Sequence, residues 1–531
     1  MTLNPSPTEE SPLLSETRRD PKKTTTTTGR GRWWTARLQV TSPRGIVLIL
    51  ASSLVTISTA GALVVVPTMR ILEDILCHRF YGDARGGGDA GGEIDERLCK
   101  VDSVQSELAL LNGLITTLEA AVGFAFAFPY GILADKIGRK PVFLLAMLGV
   151  TLTMIMNFSV LRFWRTIPVH LIIFTSLFEV IGGGSPVTLA VIYSIAADVE
   201  LPADRASAFF LMALAALLGS LIGPPVSSRL METSSPWVPL LMALALLPVG
   251  TSLIFFIPET LKAKADADED VPEGQSSLSG LKTHLKNTVA QLLESFTMLR
   301  SRSLAIIIVT FVASYPLVIG KTQFFLQYFS KRFGWSLAQT GYLLSIRGLV
   351  SVFVLLVALP GLSKLLLSPR LPFRFPAAKK DLVLVQSSAA LAMAGMLLLG
   401  TPATPTVFMG IGVATLGDGL APLCRALLPA FIDPQHTSRI YTLVGMVEAI
   451  GTMFAGPALA YFFTLGMKLG GPWLGLPYFW LASICALVGV AFGFVDLATA
   501  VRKEPAEEER EEREERGERG EPVPDGDREA V

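Results

Sequence analysis

Apolar residues in this chain come in long, nearly unbroken runs, and the polar residues gather between them. Twelve runs stand out, at residues 45–67, 107–130, 142–161, 168–197, 206–226 and 237–257, then 304–328, 337–360, 382–399, 406–431, 440–465 and 477–500. A hydrocarbon core of about 30 Å is crossed by about 20 helical residues. Each run therefore predicts one crossing, and the pattern predicts an all-α polytopic membrane protein of twelve transmembrane helices. The connection at residues 131–141 is short and basic, with Lys136, Arg139 and Lys140 against Asp135. Positive loops stay cytoplasmic, so this turn sets the topology. An even number of spans puts both termini on the same, cytoplasmic side, together with the basic stretch 364–380. Arg162, Arg165, Lys331 and Arg332 fall on the outer side and run against the rule.

The spans form two groups of six, 45–257 and 304–500. Between them, residues 258–303 start acidic and continue as an amphipathic stretch, 278–299, with Leu281, Leu285, Leu292, Leu293 and Phe296 on one face. A surface helix linking two bundles is expected there. Two similar halves are the usual build of secondary transporters, and residues 361–364, followed by Arg370, echo residues 131–135 without the acid.

Composition narrows the class further. Only 17% of residues are charged and 51% are hydrophobic, whereas soluble domains carry about 25% charged residues. The zero net charge conceals a basic arm, 1–44, and a Glu/Arg-rich tail, 501–531. Both are expected to be disordered and cytosolic. Neither interleaves basic and aromatic residues in a compact module, so nucleic acid is not an expected partner. No apolar segment suited to a signal peptide follows the first basic residues. Glu9 with Leu13 and Leu14 fits an acidic dileucine sorting signal, which would direct the protein to a vacuole- or lysosome-like membrane rather than the plasma membrane.

The turn also carries a resemblance. Gly131, Leu133, Asp135, Gly138, Arg139 and Lys140 match G-x-L-a-D-r-x-G-R-[RK], the signature between spans two and three of the major facilitator superfamily. The resemblance implies two six-helix bundles around a central cavity that opens alternately to each side. It also implies that the signature forms a charge network with Asp198, Arg205 and Glu259, closing the cytoplasmic side and breaking when that side opens. Gly131 is expected at a close helix approach, Asp135 near a helix N-terminus or an Arg, and Gly138 at the turn. A purely topogenic role for these charges is the alternative. In span five, Gly219, Gly223 and Pro224 resemble the exporter motif G-x-x-x-G-P-x-x-G-G, except that Ser227 and Ser228 replace its final glycines. In span four, Glu179 stands where drug–proton antiporters carry Arg, so their mechanism does not transfer directly.

A charge at mid-bilayer costs at least about 3 kcal/mol unless it has a partner, water or a proton. Glu119 shares a polar stripe with Asn112, Thr116 and Gly123, and Glu179 lies beside Gly182–Gly184. Asp418 and Arg425 are seven residues apart on one face, Glu448 lies in span eleven, and Arg347 in span eight. Lys321 is expected near the outer end of span seven, where it can snorkel. Structural ion pairs of Arg347 or Arg425 with Asp418 or Glu448 are one use for these groups. The other is proton coupling by Glu119 and Glu179, with Arg347 and Arg425 meeting an anionic group.

The outer loop 68–106 holds Cys77 and Cys99 on the oxidising side, so a disulfide is expected there. Cys424 and Cys485 are expected to be plain apolar residues. His78, His170, His284 and His436 are scattered, so no metal site or cofactor is expected. No nucleophile elbow, Rossmann fingerprint or Walker sequence is present, which argues against an enzyme and against ATP-driven transport. The expectation is a monomeric secondary transporter of a small organic solute, proton-coupled and tilted toward efflux. A proton-coupled importer resembling the folate transporters, and a non-transporting sensor or scaffold, are the alternatives.

Overall fold

The computed structural model describes residues 39–84, 94–201, 204–260, 302–367, 377–431 and 437–496. Most of both termini, the glycine cluster of the first loop and the amphipathic stretch 278–299 lie outside the described residues, as does the dileucine pattern. Among the described residues all regular structure is helical, and twelve helical segments are long and apolar enough to cross a membrane. They are Pro43–Gly82, Asp102–Ile137, Arg139–Arg162, Val169–Val199, Ser207–Thr233 and Trp237–Phe256, followed by Arg302–Lys321, Leu337–Leu366, Lys379–Gly400, Thr404–Leu427, Leu443–Leu469 and Gly471–Phe492. They are called spans one to twelve below. The expected fold class holds.

Each half has its own apolar core. One is built on residues such as Leu50, Leu54, Phe143, Ile192 and Met212, the other on Phe311, Phe325, Phe463, Tyr478 and Phe492. Spans one and five pack closely in the first half, while spans two and eleven, and five and eight, meet across the halves.

Several expected boundaries are corrected. Span one does not stop at Pro67 but continues as one helix, Pro43–Ala84. The apolar residues Met69, Ile71, Leu72, Ile75 and Leu76 keep a helical spacing and are buried, which offsets the backbone donor that proline lacks. The expected outer loop is thus half helix. Likewise residues 131–137 are not loop: helix Asp102–Ile137 ends at Gly138, with φ 110°, and helix Arg139–Arg162 begins at once. Gly138 is the only non-helical residue of the turn, and its positive φ is what glycine supplies there.

Span four is not continuous either. A 3₁₀ helix, Val169–Val180, breaks before helix Gly184–Val199, and Gly182, Gly183 and Gly184 all have positive φ. Span ten breaks at the matching place in the second half, where Gly417–Gly419 forms a 3₁₀ turn between Thr404–Leu416 and Leu420–Leu427. Span seven bends at Thr322 (φ −117°, ψ −90°) and continues as helix Gln323–Phe333.

Candidate functional site

The signature turn forms a compact charge cluster within the first half. Four backbone N–H groups at a helix start lack intrahelical acceptors. At span three two of them are met by Glu259, whose Oε1 accepts from Arg139 N at 2.9 Å and Oε2 from Lys140 N at 3.1 Å. A carboxylate there also complements the positive helix end. A side chain at Gly138 would meet Glu259 Oε2 at 2.7 Å, so the glycine also makes room for this cap. Arg139 pairs with Asp135 at 2.7 Å and Asp198 at 3.4 Å. Lys140 Nζ donates to the carbonyls of Ile257 at 2.9 Å and Phe255 at 3.4 Å.

Of the two surroundings expected for Asp135 the structure shows the Arg: the acid lies in the last turn of span two, at the unfavourable end of its dipole, and its Arg139 partner is what stabilises it. Two expectations are corrected. Arg205 donates to the Ala197 carbonyl at 3.1 Å and so closes the end of span four, rather than pairing with an acid. Gly131 has nothing within 4 Å of where a Cβ would lie, so no close helix approach occurs there in this conformation.

The opposite end of the molecule, called the far end here, ties the halves together through groups the sequence did not single out. Glu73, fully buried, holds Lys100 Nζ at 2.7 and 2.9 Å and accepts from Gln105 at 2.6 Å. Glu96 receives Lys100 at 3.1 Å and Arg70 at 3.2 Å. The same carboxylate reaches the second half, accepting from Leu337 N at 2.7 Å at the start of span eight. Gln327 donates to the Gln105 carbonyl at 2.6 Å, Lys331 binds Asp102 at 2.6 Å and the Lys100 carbonyl, and Tyr342 donates to Glu232 at 2.9 Å. Cys77 and Cys99 form the expected disulfide, joining span one to the short helix Glu96–Lys100 that presents Glu96. The apolar cluster around it takes in Leu326 and Leu337 from the other half. The signal was the run Arg70, Glu73, Asp74 at helical spacing after Pro67. It is legible only once the helix is known to continue. Lys331 and Arg332, which ran against the charge rule, are occupied here: Arg332 donates to Tyr328 Oη at 2.7 Å and the Thr401 carbonyl at 2.6 Å.

The small residues of span five face span one. A Cβ at Gly219 would meet Ser58 Cβ and Val55 O at 2.6 Å, and one at Gly223 would strike Ala62, so spans five and one approach through these glycines. Pro224 is buried within the continuous helix Arg205–Thr233. Of the two serines that replace glycines, Ser227 donates to the Leu63 carbonyl at 3.1 Å, and Ser228 faces Gly341 of span eight.

The intramembrane charges divide sharply between the halves. In the second half Asp418 binds Lys321 at 2.6 Å, Ser351 at 2.7 Å and Arg347 at 3.4 Å, and Arg425 binds Glu448 at 2.5 Å. Of the ion pairs expected among these groups, Arg347 with Asp418 and Arg425 with Glu448 form, whereas Asp418 does not meet Arg425, seven residues on, because span ten breaks between them. Lys321 does not snorkel. After the bend at Thr322, helix continues for about three turns beyond it, Gln323–Phe333, so Lys321 is not at the outer end of the helical run, and it is only 8% exposed. In the first half, Glu119 and Glu179 interact electrostatically with each other. Neither has a hydrogen bond or ion pair from its carboxyl among the described residues. Glu179 lies against Gly184 at the span-four break, and Glu119 is half-buried on span two.

Comparison with known proteins agrees with this architecture. The Major Facilitator Superfamily profile matches residues 48–456. The "MFS efflux pump atnC" of Emericella nidulans is 32% identical over 450 residues, covering 83% of this chain and 86% of that protein. The "Efflux pump ustT" of Aspergillus flavus is 27% identical, over 81% and 84% of the two chains. Among solved structures, the nucleoside transporter NupG has a TM-score of 0.56 at 15% identity, covering 85% of this chain and 98% of that one. The human organic anion transporter MFSD10 (TETRAN) has 0.51 at 19%, covering 85% and 99%. At such identities the structural likeness speaks for the fold alone. The profile match over most of the chain and the relative sharing a third of its residues speak for descent, and the signature turn, the twelve spans and the two bundles are what that descent predicts: the chain is a transporter, not an enzyme, and belongs to the major facilitator superfamily.

Proposed function

We propose that this transporter exports a small organic solute by alternating access and is driven by protons carried on Glu119 and Glu179. The observation that carries the coupling is the division of charge. Both intramembrane acids of the second half have cations as partners, whereas Glu119 and Glu179 have none among the described residues. An unpaired carboxylate inside a membrane is costly, and a proton removes that cost. These two groups are therefore the ones whose charge can change during a cycle without leaving an orphaned cation behind.

The conformation fits one end-state of such a cycle. The far end is sealed by Glu96, Lys331, Gln327 and Tyr342, and the signature cluster stays whole within the first half. With the basic turn and both termini on the cytoplasmic side, the sealed far end faces outward, across the plasma membrane or into a vacuole-like compartment. Efflux is favoured by the exporter-like Gly219, Gly223 and Pro224 and by the efflux names of the two relatives.

The test is proton flux in proteoliposomes carrying a pH dye, with candidate solutes supplied under an imposed pH gradient. Wild type should move protons only when solute moves, in opposite directions. Glu119→Gln and Glu179→Gln should each uncouple the two fluxes. Unchanged coupling in both variants removes them from the relay, and solute and protons moving together would make the protein an importer.

A further inference from the structure

We propose that the solute is an organic monoanion, a carboxylate, and that it binds at Arg347 of span eight with Lys321 beside it. This rests on the transport reading above, in which the solute crosses between the two halves. The argument starts from charge. Lys321 and Arg347 are 9% and 12% exposed by side chain, and they share a single carboxylate, Asp418, itself 12% exposed. That carboxylate is already committed: Oδ1 takes Lys321 at 2.6 Å and Oδ2 takes Ser351 at 2.7 Å, leaving Arg347 only a 3.4 Å contact through Nη1. Arg347 Nε is buried and has no acceptor among the described residues. A guanidinium offers five donors in a planar fork suited to a carboxylate, and here Nε is unmet and Nη1 holds only the 3.4 Å contact. The other pair in this half, Arg425 with Glu448, supplies no spare acid. The cluster therefore holds one positive charge more than it neutralises, in a region where uncompensated charge is costly.

Position points the same way. Gly348, next to Arg347, faces Leu221 of span five at 3.4 Å from its would-be Cβ, and Gln323, two residues from Lys321, accepts from Thr116 of span two at 3.3 Å. Both cations thus lie within two residues of positions that touch the first half, close to where a transported solute must pass, although Lys321 Nζ itself bonds inside the second half, to Asp418 and to the Ala414 carbonyl at 3.4 Å. Asp418 sits on the span-ten break, the kind of discontinuity at which transporters of this build gather polar groups. One excess charge matches a carboxylate better than a doubly charged phosphate.

Purified full-length protein is titrated with 1-naphthoate, 1-naphthamide and 1-naphthyl phosphate, reading the melting temperature with no gradient imposed. Naphthoate should bind wild type at least tenfold more tightly than the amide, and more tightly than the phosphate. Arg347→Gln should erase the preference for naphthoate over the amide, and Arg347→Lys should keep part of it. Lys321→Met, which leaves Arg347 in place but neutralises the cluster, should also weaken the preference, and it decides the matter if Arg347→Gln does not fold. Equal binding of acid and amide, no binding of naphthoate, tighter binding of the phosphate, or a preference that survives both Arg347→Gln and Lys321→Met would each overturn the assignment. Because no proton gradient enters the measurement, its failure is distinct from a failure of proton coupling.

Discussion

Backbone meets backbone between the halves at Gly113 and Gly456, and this contact gives the sharpest prediction about the far-end seal. A Cβ at Gly456 would lie 2.6 Å from Gly113 O and 2.7 Å from its Cα. All the obstructing atoms are backbone, so no side chain can swing aside. To reach ordinary contact at that point, spans two and eleven must part by about 0.8 Å, and a gap of that order forfeits a quarter to a half of each dispersion contact across it. Thr117 Oγ1 donates across the same seam to Met453 O at 2.9 Å and would be stretched out of bonding range. Overpacking typically costs about 1–3 kcal/mol, and a lost hydrogen bond adds about 1 kcal/mol. Gly456→Ala should therefore destabilise the sealed arrangement relative to its opened alternative by about 2–4 kcal/mol, a shift of about thirtyfold or more in their ratio.

The reporter is Ala109→Cys, a small change at a buried position packed against the second half's core. It is labelled with a membrane-impermeant maleimide applied from the far side. The two native free cysteines, Cys424 and Cys485, are buried, so the background is low. Labelling should be slow in the otherwise wild-type protein and at least tenfold faster with Gly456→Ala. Gly445→Ala is the control, since it lies on the same helix with nothing within 4 Å of its Cβ, and its labelling should stay slow. An unchanged rate in a normally folded Gly456→Ala protein would refute the claim that this contact holds the far end shut.

Other substitutions probe the remaining clusters. Glu259→Gln weakens the charge-assisted cap on span three and should lower stability by about 1–2 kcal/mol, measured as melting temperature. Gly138→Ala should cost at least as much, because it combines φ 110° with the Glu259 contact. Asp418→Asn leaves Lys321 and Arg347 facing each other without a counter-charge. Breaking a buried pair in this way costs about 3–5 kcal/mol, so folded yield should fall steeply, and Lys321→Met added to Asp418→Asn should recover part of it. Replacing Cys77 and Cys99 together by serine should lower the melting temperature, by about 2–5 kcal/mol of stability, and speed Ala109→Cys labelling from the far side.

The spans and their number were legible because hydrocarbon demands runs of about 20 apolar residues, and nothing else in the chain imitates them. The signature turn was legible because its residues are contiguous. Glu259, over a hundred residues away, was placed beside it by the topology alone. The cap it forms on the Arg139 and Lys140 amides was not legible, because a backbone donor leaves no mark in sequence. Span one was cut short at Pro67 because proline usually ends a helix. That one boundary hid Arg70, Glu73 and the whole far-end cluster, which depends on seventeen more helical residues carrying Cys77 to Cys99.

The expected ion pairs Arg347–Asp418 and Arg425–Glu448 form, but which cation meets which acid was not legible, for a more general reason. Sequence spacing predicts neighbours only while a helix stays regular, and the charges sit where it does not. Asp418 and Arg425 would share a face seven residues apart on one helix, but the Gly417–Gly419 turn between them sends Asp418 to Lys321 of span seven and Arg347 of span eight. Glu179 sits just before the Gly182–Gly184 break of span four, the counterpart of span ten under the six-plus-six repeat. The two halves thus place an acid at the same broken position. In one half the acid is held by two cations, and in the other none is at hand among the described residues. Under the coupling proposed above, a repeat that duplicated both the break and the acid, and then supplied cations to only one copy, lets Glu179 change charge while Asp418 stays fixed. That asymmetry is what the proposed coupling needs: in one half cations gathered round a fixed acid to meet an anionic solute, and in the other a removable charge to drive the step.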